Sequence, residues 1–296
     1  MSDTPQASQQ SSSTEPMITQ RDMLGAMEVL AGAGTEPEVL ITLTDEELRG
    51  LDGASALALL GSPYLDQDQV DADSASASAL RSLTARGLVR PGGESVEEEG
   101  ELVSGSGDPS ARPVQLDRRL AGVVTLRRIP EGMITTTRAL NGGSTTLAHY
   151  LFPRRGVLEE YVTVDGFHHF SVPEVDEVAE RIRKFTDPFG VAGEDGEPTT
   201  TTRAEAVTGP EAADARALSV ITSVAEGEGR QATVVATSDR VRVIDDGAVG
   251  PQRSPQDQVQ VSDVSPESLR SAIDLLVPRS PEEEPSGDEG TGGPGA

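Results

Sequence analysis

Cysteine and tryptophan are both missing, and only three tyrosines, five phenylalanines and three histidines occur among 296 residues. The lack of thiols excludes disulfides, thiol catalysis and Cys-ligated zinc. Lys184 is the only lysine; every other basic residue is arginine, which reads as a GC-rich coding bias rather than a selected property. No run reaches the ~18 apolar residues that a membrane-spanning helix requires. The opening MSDTPQASQQ lacks the basic and apolar regions of a secretory signal, so a cytoplasmic location is expected. Catalytic signatures are absent too. There is no G-x-S-x-G and no Walker sequence, and Gly32-Ala33-Gly34 and Gly105-Ser106-Gly107 lack the strand-before, helix-after context of a phosphate loop. An enzyme is not expected, and no cofactor is implied.

What the chain has in excess is acid, with a formal net charge of −26. Such a charge repels the phosphates of nucleic acid and an anionic membrane surface, and it favours solubility. The acids fall largely into solvated runs, such as Glu97-Glu98-Glu99 and Glu282-Glu283-Glu284, which lack the fixed cleft that paired-carboxylate catalysis needs. The DQDQVDAD run (Asp66, Asp68, Asp71, Asp73) fails as a calcium loop: Val70 stands where a ligand belongs and the glycine is missing. His168 and His169 are neighbours on a strand and point to opposite faces, so they cannot share a metal; His149 can approach one of them across a sheet. All three are read as strand residues.

Residues 1–18 and 278–296 are poor in apolar mass and are expected to be disordered tails, with linkers at 91–113 and 191–210. Between the tails, 19–277 reads as one α+β domain: a helical part (19–129), a first β–α unit (130–190), a loop (191–212) and a second β–α unit (213–277). In the helical part, Met23, Met27, Leu30 and Ala31 mark one face of the first helix. Thr44 and Glu47 form a capping box, and a helix from Asp71 to Arg86 closes on Gly87. The stretch 114–129 fits a helix or a strand. Each unit consists of strands followed by one amphipathic helix that begins on Pro-Glu, at Pro173 and at Pro266, which points to a pseudo-twofold pair of antiparallel units. Asp165-Gly166 is the strongest hairpin signal, and a two-residue loop there pairs Tyr161 with Phe170 and Val162 with His169. Ser265 caps the last helix, whose apolar face is Leu269, Ala272, Ile273 and Leu276.

Two local features suggest partners. ALRSLTARGLVRPGG (79–93) is similar to the recognition helix and wing of winged-helix regulators, but Arg81 and Arg86 are its only helical basic residues and an acidic stretch follows. Arg112, Arg118, Arg119, Arg127 and Arg128 form the one basic region, suited to an acidic partner or to internal pairing.

In order and spacing the chain resembles the EspG family of type VII secretion-associated proteins over roughly residues 40–277. The likeness is carried by LTDEELRGL (43–51), ALRSLTARGLV, the strand-rich middle, and QVQVSDVSPESLRSAIDLL at the end. It implies a quasi-twofold α+β fold and a cytosolic, non-enzymatic chaperone that covers the apolar helical tip of a secreted PE–PPE-like substrate; monomer and homodimer both stay open. The resemblance places binding at a turn between central strands and at the last helix. Those regions hold Leu151, Phe152, Arg154 and Arg155, and Leu269 and Ile273. The alternatives are a winged-helix-like regulator and an orphan adaptor whose acidic tails attract a partner.

Overall fold

The computed structural model describes residues 18–91, 114–249 and 254–278. The expected tails, most of the 91–113 linker and Arg112 lie outside these ranges. In chain order the described elements are α1 (Gln20–Leu30), β1 (Ile41–Thr44), α2 (Asp45–Asp52), α3 (Ala72–Ala85), β2 (Val89–Pro91), β3 (Val114–Leu116), α4 (Arg118–Arg128), β4 (Gly132–Leu140), β5 (Gly143–Phe152), β6 (Gly156–Val162), β7 (Phe167–Ser171), α5 (Val178–Thr186), β8 (Thr199–Thr202), α6 (Arg203–Thr208), β9 (Ala217–Ala225), β10 (Glu228–Ala236), β11 (Val241–Ala248), β12 (Gln258–Asp263) and α7 (Pro266–Asp274). The fold is α+β.

Ten strands form one antiparallel sheet in the order β1-β7-β6-β5-β4-β9-β10-β11-β12-β8. The two β–α units are thus joined into a continuous sheet, because β4 and β9 pair from Gly132↔Ala225 to Leu140↔Ala217. Outward from that central pair the strands follow in matching sequence. Matching two-residue turns open both halves: Asn141-Gly142 and Glu226-Gly227 all have positive φ, as tight hairpins with right-handed strand twist require.

Helices cover both faces. α1, α2, α3 and α4 pack over β5–β7, around Leu43, Leu48, Leu83, Leu120, Leu158 and Phe170. On the opposite face α5 and α7 bury Ala179, Ile182, Leu269 and Ile273 against Ile134, Ile221 and Val234. A small aliphatic cluster under α6 (Ala206, Val235, Ile244, Val259, Val261) completes the second half.

Three expectations are corrected and one open alternative is settled. The apolar stripe of α1 is not the buried one: Gly25, Ala26 and Val29 face inward, while Met23 and Met27 are 41% and 61% exposed. The reason is the crossing with α4, where a Cβ on Gly25 would lie 2.5 Å from the Arg118 carbonyl oxygen and one on Gly122 would lie 2.4 Å from that of Gly25. Only a small-residue face permits so close a crossing. Second, of the helix and the strand that 114–129 left open, 118–128 is the helix, α4, buried on almost all sides, which blurs its helical period. Third, the 191–210 stretch contains β8 and α6. Fourth, the β6–β7 register is shifted by one, to Tyr161↔His169 and Val162↔His168. The loop is Val164-Asp165-Gly166, closed by Thr163 N donating to the Phe167 oxygen, with Gly166 at φ +76 as in a three-residue hairpin loop.

Candidate partner-binding groove

The β5–β6 turn is strained. Arg154 and Arg155 have φ of 57 and 64, the left-handed region in which each non-glycine residue costs roughly 1–2 kcal/mol. Both arginines are exposed. Arg155 pairs with Asp176 just before α5. Gly156 lies against α1, where an added Cβ would meet the Leu30 side chain at 3.0 Å. Strain of this kind persists only where the surroundings hold it.

At the chain's other end, the Ser265 hydroxyl accepts from Ser268 N at 3.2 Å and caps α7. The Asp195 carboxylate accepts from Ser265 N at 2.7 Å and from the Ser268 hydroxyl at 2.9 Å, fixing the entry angle. Leu269 and Ile273 are 0% and 1% exposed, so they hold α7 to the sheet rather than facing outward. Leu275, just past the helix, is 69% exposed.

These regions meet at one end of the sheet. A groove of about 830 Å³ is lined by Leu151 and Phe152 from the end of β5, by Ser223 and Ala225 from β9, and by Leu275 to Pro278. Leu151 and Phe152 alternate to opposite faces, Leu151 toward α7 and Phe152 toward the helical layer. They reach one groove only because the sheet ends there. Both are largely buried, at 7% and 6% exposure, so they form its floor. Its rim carries Glu131, Glu226, Glu228 and Asp274, with Arg230 donating to the Leu275 carbonyl at 3.1 Å. The groove is apolar below and acidic at the mouth.

No protein-family model matches the sequence, and no curated protein matches it. Among solved structures, the chain is similar to one in the structure of the Mycobacterium tuberculosis type VII secretion system chaperone EspG5 in complex with a PE25–PPE41 dimer. The TM-score is 0.46 at 8% identity, covering 80% of this chain and 95% of that one.

Two buried ionic clusters escaped the sequence reading. On the helical-layer face, fully buried Glu160 accepts from Arg127 Nε at 2.8 Å and from the Tyr150 hydroxyl at 2.6 Å, and lies 2.6 Å from His168 Nδ1. His168 Nε2 lies 2.8 Å from Asp45, whose second oxygen accepts from Tyr64 N at 2.8 Å. Burial opposes ionisation of Glu160 most strongly, but Arg127 and His168 outweigh it and bring its pKa to about 2. Burial likewise disfavours the His168 cation, yet Asp45 and Glu160 together raise its pKa. On the opposite face, Glu159 pairs with Arg181, His149 and Ser171. Burial raises its pKa, but Arg181 and His149 more than offset this and hold it well below the carboxylate range.

These clusters join elements distant in sequence. The signal for them was the pair Glu159-Glu160 inside an apolar strand. The two-residue-loop register hid it by placing Glu160 on the face of His169 rather than His168. The basic region is likewise used internally: Arg118 pairs with Glu28, Arg127 with Glu160 and Arg128 with Asp52. In the winged-helix-like segment, Arg86 is bound to Glu47 at 2.6 Å. No helix among the described residues is long and apolar enough to cross a membrane.

Proposed function

We propose that this chain is a non-enzymatic chaperone or adaptor, built on a pseudo-twofold body, that holds a PE–PPE-like type VII secretion substrate by covering its apolar helical tip. The observation that carries the reading is the groove between the end of β5 and the end of α7. It unites the two regions that the EspG resemblance singles out, and its apolar floor suits the end of an amphipathic helix. Leu151 and Phe152 provide the floor, Leu269 and Ile273 fix α7 beneath it, and Leu275 supplies a contact at its edge; Arg154 and Arg155 do not line the groove but follow Phe152 directly in the β5–β6 turn. Four rim carboxylates favour a tip that carries basic residues beside its apolar ones. The acidic surface keeps the complex soluble in the cytosol.

The test is co-expression with the PE–PPE-like pairs of the protein's own cell, followed by size-exclusion chromatography. The proposal expects a stable complex with one pair, lost on Leu275→Asp. Leu275 is exposed, so this substitution leaves the fold intact. Failure to retain any pair, or retention unchanged by Leu275→Asp and by Arg154→Glu together, overturns it.

A further inference from the structure

A second groove lies on the α5 face, beside the first-half edge of the sheet. Its volume is about 810 Å³, and it shares no lining residue with the groove at α7. Its floor is Leu147, Tyr161 and His169; α5 with Phe185 forms one wall, and residues 35–39 form the other. In a chain with eight Phe and Tyr residues in all, two of them converge here with a histidine. The Tyr161 and His169 rings stack at 6.1 Å, and Phe185 meets Tyr161 edge-on at 6.1 Å.

Arg138 supplies the charge. Its guanidinium lies 4.2 Å above the Phe185 ring, and Nη1 donates to the Phe185 carbonyl at 2.8 Å, near the C-terminus of α5. Nε is buried and has no partner. No carboxylate among the described residues pairs with Arg138, although the chain holds 50 acidic residues. Three carboxylates line the groove, Glu36, Glu159 and Glu177, none of them bonded to Arg138, and Glu159 is consumed by Arg181, His149 and Ser171. A helix C-terminus offers only about half a charge, so a half-buried guanidinium there is left undercompensated. The Lys184 ammonium stands at the rim, 3.6 Å from Glu180.

We propose that this groove is a binding site for a carboxylate borne on an aromatic or aliphatic body. The body would pack on Tyr161, Phe185 and Leu147, and the carboxylate would pair with the part of the Arg138 guanidinium that faces the groove. This goes beyond the chaperone reading and is independent of it. A free organic acid and a peptide C-terminus share this chemistry.

The test is an NMR titration of the full chain, following the His169 ring and Arg138 Nε–H resonances. The probes are phenylacetate, phenylacetamide, and a short phenylalanine-terminated peptide as its acid and its amide. The expected result is saturable shifts with phenylacetate and none with phenylacetamide. Arg138→Gln is expected to weaken binding by about tenfold or more, the scale of one charge-assisted hydrogen bond. Arg138→Lys is expected to restore part of it. A preference for the peptide acid over both its amide and phenylacetate assigns the site to a chain terminus; the reverse preference assigns it to a free acid. Equal shifts from the charged and neutral probes, or none from either acid, overturn the proposal. If loss of the α5 contact unfolds Arg138→Gln, the probe pairs still decide on the unaltered chain, since acid and amide share one shape and differ in charge and in the acceptor that the amide NH2 replaces.

Discussion

The two halves of the sheet follow one strand plan and solve the burial of the same face in opposite ways. Through the strand registers, Tyr150 corresponds to Val235, Glu160 to Ile244, His168 to Val259 and Phe170 to Val261. Thr44, the N-cap of α2, corresponds to Thr202, the N-cap of α6, and each cap is followed by a glutamate at the third helical position, Glu47 and Glu205. The first half buries a five-residue ionic network beneath four helices; the second buries aliphatics beneath one short helix. A thick helical layer excludes water on one side of the sheet, and polar groups caught there must satisfy one another. The thinner cover of the second half is made without buried charge at those positions. The teaching is that this strand plan does not require the network. The network instead fixes where α2 and α4 dock.

Placing the second half's residue into the first is the sharpest way to break the comparison. Glu160→Ile leaves Arg127, the His168 cation and the Tyr150 hydroxyl buried without their acceptor. It is expected to cost about 3–5 kcal/mol in urea unfolding, as breaking a buried ion pair does. Replacing Tyr150, Glu160 and His168 by their counterparts while also removing the charges of Arg127 and Asp45 is expected to recover much of that loss. A next-largest effect is expected at the α1–α4 crossing, which the second half lacks. Gly122→Ala should destabilise by about 1–3 kcal/mol, the usual cost of overpacking, visible as a lower thermal midpoint.

The β5–β6 turn gives a third contrast. Its counterpart between β10 and β11 contains no left-handed residue. Arg154→Gly should therefore stabilise the chain by about 1 kcal/mol while weakening partner retention, if the strain serves binding. A gain in stability with unchanged retention would make the turn merely a strained connection.

Acidity probes the network more gently. The folded pKa of His168 is raised, so its contribution is fully present below the ordinary histidine value and is lost as pH rises through the folded value. Glu160 has the opposite sign: its contribution is present above the ordinary carboxylate range and is lost as pH falls toward about 2. Stability measured against pH should peak in the mildly acidic range, and a His168→Gln variant should lose the alkaline slope. The groups facing His168 are Asp45 and Glu160, with Arg127 and Tyr150 behind Glu160. The smallest effect is expected from deleting residues 279–296: on the chaperone reading, partner retention measured by size exclusion is unchanged, whereas its loss would favour an acidic-tail adaptor.

Much of the fold was legible in the chain because short-range chemistry wrote it. The Thr44–Glu47 box, the Ser265 cap, the helix that closes on Gly87 and the two closing helices each depend on a few adjacent residues, and each is present. Of the candidate surface, the EspG resemblance pointed to the β5–β6 turn and α7, but it could not tell lining from support. Leu269 and Ile273 carry the helical period because they are core, while Leu275 falls outside that period and is exposed. β8 escaped notice because an edge strand of four threonines buries little, and α4 was left open between helix and strand because burial on all sides blurs the period. What the sequence by itself determined was the inventory of elements and their caps, since backbone hydrogen bonds near a helix end or tight turn are satisfied locally. Only the tertiary structure decided which face of α1 turned inward, which register closed the β6–β7 hairpin, and which charges met inside. Each of these is settled by contacts between segments far apart in the chain, where close glycine packing and the need to neutralise a buried charge outweigh local pattern.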